Sequence, residues 1–148
     1  MHTALPSGTV TFLFTDVEGS TRILQRLGDG AQDLLSRHHE IVARVIESSG
    51  GAVVSTEGDS VFAAFASPHN AIRAVSEAQR RLQAHSWEPG AEIWVRMGLH
   101  TGEGTPSDGD YHGLDVHRAA RISASGSGGQ VLLSEATAKL VANRISKS

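Results

Sequence analysis

Two carboxylates stand beside glycine and hydroxyl residues at the ends of apolar runs in this sequence. Asp16 ends the run "TVTFLFTD" and precedes "VEGST", and Asp59 lies in "TEGDSVFAAF" between two β-rich runs. Two neighbouring carboxylates repel each other unless one is protonated or a cation lies between them. Mg²⁺ or Mn²⁺ removes that repulsion, because these ions take oxygen ligands and are commonly held by carboxylates together with substrate phosphates. The pair therefore predicts a divalent-metal site if the fold brings the two residues together.

The turn after Asp16 could supply the phosphate side of such a site. Gly19, Ser20 and Thr21 are expected at a helix N-terminus, where free backbone N–H groups favour an anion. Taken singly, Asp-x-x-Gly-Ser-Thr is equally typical of a helix cap, and Gly-Asp of a hairpin turn. Spacing alone leaves both interpretations open.

The apolar patterns predict the elements that must position these residues. They indicate helices packed on a mostly antiparallel sheet, in an α/β or α+β sandwich. The predicted strands are 9–15, a hairpin made of "AVVST" and "SVFAAF", 92–102 and 129–134. The predicted helices are 29–48, one that begins after Ser67, 114–124, and one that Ser134 caps.

Length and composition limit the class of protein. The chain has 148 residues, which we interpret as one domain over 1–148, with a net charge of −3 and no cysteine. This charge argues against a nucleic-acid binder, and the absence of cysteine excludes disulfide bonds and thiolate metal sites. No apolar run reaches the roughly 18 residues of a membrane span, and the N-terminus lacks a signal-peptide pattern, so we expect a cytoplasmic domain.

Four stretches carry a family resemblance: "FTDVEGST", "TEGDSVFAAF", "RMGLHTGE" and "DYHGLDVHRAARI", in this order. They resemble the catalytic domain of class III adenylate and guanylate cyclases, and in particular the bacterial cyclase homology domains with a short arm. The resemblance covers about residues 8–143. It implies a ferredoxin-like fold, and a head-to-tail homodimer with composite active sites at its interface.

The implied reaction is intramolecular. The ribose 3′-oxygen of a nucleoside triphosphate attacks the α-phosphate and expels pyrophosphate, with two divalent cations, Mg²⁺ or Mn²⁺, assisting. By resemblance, Asp16 and Asp59 are the metal aspartates, and Val17 contributes its backbone carbonyl. Arg121 matches the arginine that stabilises the transition state, where its guanidinium can contact phosphate oxygens in a bidentate manner. From the residues alone, Arg121 would be a solvated helix arginine.

Three positions concern the purine and the ribose. The family has a lysine four residues before the second metal aspartate, and this chain has Ser55 there. Asp110 matches the family's base-contacting aspartate, with a solvated loop acid as the alternative. His117 replaces the ribose-orienting asparagine; an imidazole can donate a hydrogen bond but can equally be an inert surface group. We therefore expect metal-dependent nucleotide binding, ATP in preference to GTP, and slow or conditional cyclisation.

Two alternatives stay open. The chain could be a degenerate cyclase homology domain that binds nucleotide and metal, or only dimerises, and thereby regulates another protein. A diguanylate-cyclase-like enzyme is weaker, because the hairpin sequence "EGDSVF" lacks that family's Gly-Gly-acidic-acidic-Phe turn. The sequence is also expected to lack the β-hairpin that usually follows the last helix, and a heterodimer whose partner bears the missing lysine remains an alternative.

Overall fold

A twisted five-stranded sheet forms the centre of the molecule, with strand order β2-β3-β1-β4-β5. The computed structural model describes residues 4–147, and side chains as far as residue 142. β1 pairs antiparallel with β3 and β4, β2 pairs antiparallel with β3, and β5 is parallel to β4. The strands are β1 (Gly8–Val17), β2 (Ala52–Glu57), β3 (Ser60–Phe65), β4 (Val95–Gly104) and β5 (Val131–Leu133).

Five helices cover the sheet. They are α1 (Ser20–Leu27), α2 (Gly30–Ser48), α3 (Pro68–Ala84), α4 (Leu114–Ala124) and α5 (Glu135–Lys147). The predicted mostly antiparallel α/β sandwich is therefore confirmed. The chain between β1 and β2 forms two helices, because Gly28 ends α1 with a positive φ of 54°.

The two faces of the sheet are packed differently because side chains alternate along each strand. Leu13 and Val17 point into the larger core, where α2 and α3 pack on the sheet. Phe12, Phe14 and Phe62 lie on the opposite face with Ala119 of α4. Asp16 is two residues beyond Phe14, so it shares the face that α4 covers.

The larger core takes its buried side chains from α2 and α3 and from strands β1, β3 and β4. Within the part of the chain that the structure describes, none of the helices has the length and apolar character needed to cross a membrane.

Candidate active site

Asp16, Val17 and Asp59 meet at one corner of the sheet. β3 runs antiparallel beside β1, with Val61 opposite Thr15, so the β2–β3 turn lies next to the end of β1. Gly58 takes a positive φ of 55° in this two-residue turn, which a glycine adopts without strain. The Val17 N–H donates to Asp59 Oδ2 over 2.7 Å, and this bond orients the second carboxylate.

Arg96 faces Asp16 across the β1–β4 ladder. The two residues are direct partners in the strand register. Arg96 Nε donates to Asp16 Oδ1 over 2.6 Å, and Arg96 Nη2 donates to Oδ2 over 2.9 Å. Hydrogen bonding to Asp16 is the main cause that raises the pKa of Arg96, and the charges of Glu18 and Asp59 add to it. The corner is thus an acidic site with one fixed guanidinium.

A cavity of about 420 Å³ lies beside this corner on the same face of the sheet. The three predicted substrate positions Ser55, Asp110 and His117 all line it. Phe14 and Phe62 also line it and stack on each other, with ring centroids 4.4 Å apart and planes 15° from parallel. The cavity therefore combines an apolar aromatic surface with a few polar groups, as small-molecule sites usually do.

The polar groups of the cavity differ in how firmly they are held. Asp110 is half-buried and its Oδ1 accepts the Tyr111 N–H over 2.8 Å, which fixes the carboxylate at the cavity wall. Tyr111 is itself anchored, since its hydroxyl donates to the Pro6 carbonyl. His117 is exposed on α4, and Glu57 is an exposed carboxylate at the end of β2. Among the described residues that line the cavity there are two carboxylates, Glu57 and Asp110, and no lysine or arginine.

α4 carries both His117 and Arg121, and it lies unusually close to β4. A Cβ added at Gly98 would come within 2.4 Å of the Ser123 backbone nitrogen, and one at Gly102 within 2.1 Å of Asp115 Oδ2. Only glycine permits this approach. His117 and Arg121 are four residues apart, so they share one helix face. Arg121 is exposed, and it is not among the residues that line the cavity.

A polar network fixes the start of α4. His100 Nε2 bonds to Asp115 Oδ1 over 2.8 Å, and His100 Nδ1 bonds to the Ser134 hydroxyl over 2.8 Å. Asp115 Oδ2 also accepts the Glu103 N–H. These bonds lower the pKa of Asp115, the one from His100 most strongly. The network joins β4, α4 and the start of α5, and it therefore sets the position of the helix that bears His117.

Gly19, Ser20 and Thr21 lie at the start of α1, directly after the corner that Asp16, Val17 and Asp59 form. Gly19 is the N-cap with a φ of 69°, and no side chain caps the helix. The N–H groups in the first turn of a helix have no carbonyl partner within it, so those of Ser20 and Thr21 are available to an anion. Gly19 lines a different cavity from Ser55, together with Arg22 and Arg26.

Two adjacent histidines of α2, His38 and His39, lie near Asp59. His38 is fully buried, and burial lowers its pKa to about 4, with a smaller contribution from the charge of His39. His38 Nδ1 is 3.2 Å from the Leu35 carbonyl, which requires the N–H on Nδ1, while Nε2 has no hydrogen-bond partner. Burial also lowers the pKa of His39, and Asp59 partly opposes this. Both imidazoles are therefore neutral groups near Asp59 at physiological pH.

The corner fits hard divalent cations. Asp16 and Asp59 offer carboxylate oxygens and Val17 a backbone carbonyl, which is the donor chemistry that Mg²⁺ and Mn²⁺ prefer. Within the described residues, no group of three or more histidine, cysteine, aspartate or glutamate side chains could hold a metal alone. The remaining ligands would come from water and nucleotide phosphate, as is usual for Mg²⁺.

Sequence reasoning gave no role to Arg96 or His100, although both lie in the quoted stretch "RMGLHTGE". The signal is the alternation Arg-x-Gly-x-His-x-Gly, which places 96, 98, 100 and 102 on one face of a strand. Two glycines on one strand face leave room for a helix to lie close against it, and the arginine and the histidine on that face need polar partners.

The family comparison decides the identity of the domain. Residues 3–147 match the family model described as the adenylate and guanylate cyclase catalytic domain. The chain belongs to this family. The similarity that we noted over about residues 8–143 is thus confirmed, and the cyclase domain occupies nearly the whole sequence.

Curated relatives of this cyclase domain include characterised and uncharacterised proteins. An uncharacterized protein of Mycobacterium tuberculosis is 37% identical over 142 residues, which are 95% of this chain and 47% of that protein. The chain thus spans about half the length of this relative. The adenylate cyclase of Lachancea kluyveri is 31% identical over 88% of this chain and 8% of its own length.

Solved cyclase structures share the fold. The adenylate/guanylate cyclase/hydrolase of Silicibacter pomeroyi superimposes with a TM-score of 0.80 at 27% identity, covering 95% of this chain and 83% of that one. A Trypanosoma brucei adenylate cyclase in its monomeric state gives a TM-score of 0.82 at 26% identity, over 89% and 75% of the two chains. The sheet and helices of this cyclase domain are therefore those of known cyclase catalytic domains.

Proposed function

We propose that this cyclase domain converts ATP to 3′,5′-cyclic AMP and pyrophosphate, with low or conditional activity, as a homodimer with composite interface sites. GTP is the alternative substrate. The observation that carries the proposal is the placement of Asp16, Val17 and Asp59 at one corner beside the cavity of Ser55, Asp110 and His117. The names of relatives as adenylate cyclases support ATP as the substrate.

The proposed roles follow from side-chain chemistry. Asp16, Asp59 and the Val17 carbonyl would hold two divalent cations. When bound, such cations polarise phosphate oxygens and lower the pKa of a coordinated hydroxyl. The N–H groups of Ser20 and Thr21 would bind phosphate oxygens at the start of α1. Arg121 would stabilise charge that develops on the α-phosphate, where its guanidinium can donate two parallel hydrogen bonds.

Asp110 and His117 would position the nucleoside. The fixed Asp110 carboxylate can accept a hydrogen bond from the exocyclic amine of adenine. His117 can donate one hydrogen bond to the ribose, but an imidazole ring places its donor differently from an amide. Misplacement of the 3′-oxygen removes much of the advantage of an intramolecular reaction. Ser55 brings no charge to the base, so we expect slow turnover.

The experiment is a direct assay of product. We would measure cyclic AMP and cyclic GMP formed from ATP and GTP, with excess Mn²⁺ and high protein concentration, beside Asp16→Ala as the control. Product that disappears in Asp16→Ala supports the cyclase and identifies its base. Product that persists in Asp16→Ala contradicts the assignment of that carboxylate.

A regulatory binding module is the second candidate. It is favoured by Ser55 and His117 at the family's lysine and asparagine positions, and by the guanidinium of Arg96 that engages both oxygens of Asp16. ATP binding measured by equilibrium dialysis, together with no cyclic product in that assay, would favour this module over the enzyme.

A further inference from the structure

The ion pair between Arg96 and Asp16 is built into the fold. The two residues are register partners on adjacent central strands, so neither side chain needs to reach far. Both are largely shielded, with 27% and 22% of their side-chain surfaces exposed. Solvent screens such a pair less than a surface ion pair, and the two-oxygen geometry adds directional hydrogen bonds. Arg96 therefore places a permanent positive charge at the corner formed by Asp16, Val17 and Asp59.

Further contacts hold Arg96 from the side of α4. Its Nη1 donates to the Ala124 carbonyl at the end of α4 over 3.3 Å. Its own carbonyl accepts the Ser123 hydroxyl over 3.4 Å. A guanidinium that moved away from one oxygen of Asp16 would still have a partner at Ala124. The side chain thus has a second anchor that does not depend on the carboxylate.

We propose that Arg96 occupies the first metal carboxylate in the metal-free chain, so that a divalent cation binds at Asp16 only in competition with the guanidinium. The inference rests on the proposed function only in taking Asp16 as a metal ligand. Arg96 is then a positioning residue that sets the metal affinity of the free domain. It holds both oxygens of the Asp16 carboxylate in place, and it weakens the binding of a cation until nucleotide phosphates supply further ligands.

The charge of Arg96 determines whether its replacement strengthens or weakens the binding of a divalent cation. The negative charges of three carboxylates, those of Asp16, Glu18 and Asp59, all act on Arg96. Its replacement by a neutral residue leaves these carboxylates uncompensated and frees both oxygens of Asp16. Replacement by lysine keeps the charge, but one ammonium cannot reproduce the two parallel bonds of a guanidinium. Both changes therefore strengthen binding of a divalent cation, and the neutral change does so more.

The test measures Mn²⁺ binding without nucleotide and without activity. Free Mn²⁺ is followed by its electron paramagnetic resonance signal during titration of the wild-type domain, Arg96→Gln and Arg96→Lys. We expect Arg96→Gln to bind Mn²⁺ on the order of tenfold more tightly, which corresponds to about 1.4 kcal/mol. Arg96→Lys should fall between it and the wild type. Arg118→Gln is the matched control, because Arg118 is an exposed arginine of α4 that pairs with Asp115.

The outcomes separate this inference from the proposed function. The gain in affinity should vanish when Asp16→Ala is combined with Arg96→Gln, because the freed carboxylate is then absent. If neither Arg96 variant binds Mn²⁺ more tightly than the wild type and Arg118→Gln, the inference is overturned. If Arg96→Gln does not fold, the same comparison is decided by Arg96→Lys alone. Failure of the proposed cyclase activity would give a different result: the domain would form no cyclic nucleotide, and the Mn²⁺ affinities of the variants would be unaffected.

Discussion

Ser55 is the residue at which this cyclase domain departs most simply from the adenylate cyclase pattern. It lines the cavity with the fixed Asp110 carboxylate and with Glu57, so a cation placed there would face two acceptors. We expect Ser55→Lys to raise ATP turnover several-fold, because the ammonium supplies the missing base contact and is stabilised by its neighbours. Initial rates of cyclic AMP formation with Mn²⁺ measure this.

Ser60→Lys is the control for that change, since Ser60 lines the same cavity at the start of β3. A gain in both variants would show a general effect of positive charge rather than a base contact. No gain in Ser55→Lys would place the deficit elsewhere, with His117 as the next residue to exchange.

His38 gives the domain a dependence on pH at the residue scale. Its pKa is lowered from 6.5 to about 4 by burial, so between these values the unfolded chain binds a proton that the folded chain does not. The stabilising contribution is therefore fully present above pH 6.5 and is lost as the pH falls towards 4, by about 3 kcal/mol at most. Urea unfolding of the metal-free domain between pH 7.5 and 4.5 would show this loss.

His38→Gln should reduce that pH dependence and leave the part that comes from His39, whose pKa burial also lowers, whereas His112→Gln, which removes an exposed loop histidine, should leave it as in the wild type. Equal slopes in the wild type and His38→Gln would show that another group governs the acid sensitivity.

At the scale of elements, the contact between β4 and α4 positions the proposed catalytic helix. Gly98 allows the backbone of Ser123 to lie against the strand. Gly98→Ala would force the helix away, and overpacking of this kind costs about 1–3 kcal/mol. We expect that loss in the free energy of unfolding from urea denaturation, accompanied by reduced nucleotide binding.

Gly30→Ala is the matched substitution, because the nearest atom to its added Cβ is 3.9 Å away and the residue begins a helix. It should be neutral or slightly stabilising. A Gly98→Ala variant as stable as Gly30→Ala would mean that α4 adjusts without cost, and that its distance from β4 is not fixed.

The elements also show what sequence patterns can predict. The sequence predicted a helix at residues 114–124, and α4 is observed there between Gly113 and Ser125. The prediction began β4 at residue 92, whereas the strand begins at Val95. The prediction was early because Ile93 is buried in the core although its backbone lies outside the strand. Apolar spacing reports burial, and it cannot tell a paired backbone from a packed loop.

The same limit applies to the site. The order of strands could not be read from the sequence, but a β2–β3 hairpin beside β1 was a natural arrangement, and it brings Asp59 to Val17. The Arg96–Asp16 pair depends on the register of two strands 80 residues apart in sequence. Local patterns carry no information on that register, so the pair was not predicted.

At the scale of the whole molecule, the proposed composite sites require self-association. Leu114 is 75% exposed at the start of α4, next to the cavity residues of that helix. We expect sedimentation velocity to show a monomer–dimer equilibrium that shifts towards the dimer when ATP and Mn²⁺ are present, because a shared ligand stabilises the associated state. Leu114→Asp should weaken that shift.

Lys139→Asp is a suitable comparison for the surface change, since Lys139 is an exposed residue of α5. A strict monomer at high protein concentration, with nucleotide and metal bound, would contradict composite sites and would favour a binding module that acts with another chain.

Side chains alternate between the two faces of β4, so this strand tolerates changes in its length poorly. Deletion of one residue between 96 and 102 would turn the following side chains to the opposite face and so separate Arg96 from Asp16 or His100 from Asp115. In the loop 105–113 Tyr111 is buried, but residues 107–109 are exposed, and lengthening a surface loop there costs little. That loop holds Asp110 at the cavity wall. Insertions at its exposed tip would therefore reshape the cavity while the Arg96–Asp16 pair and α4 stay in place.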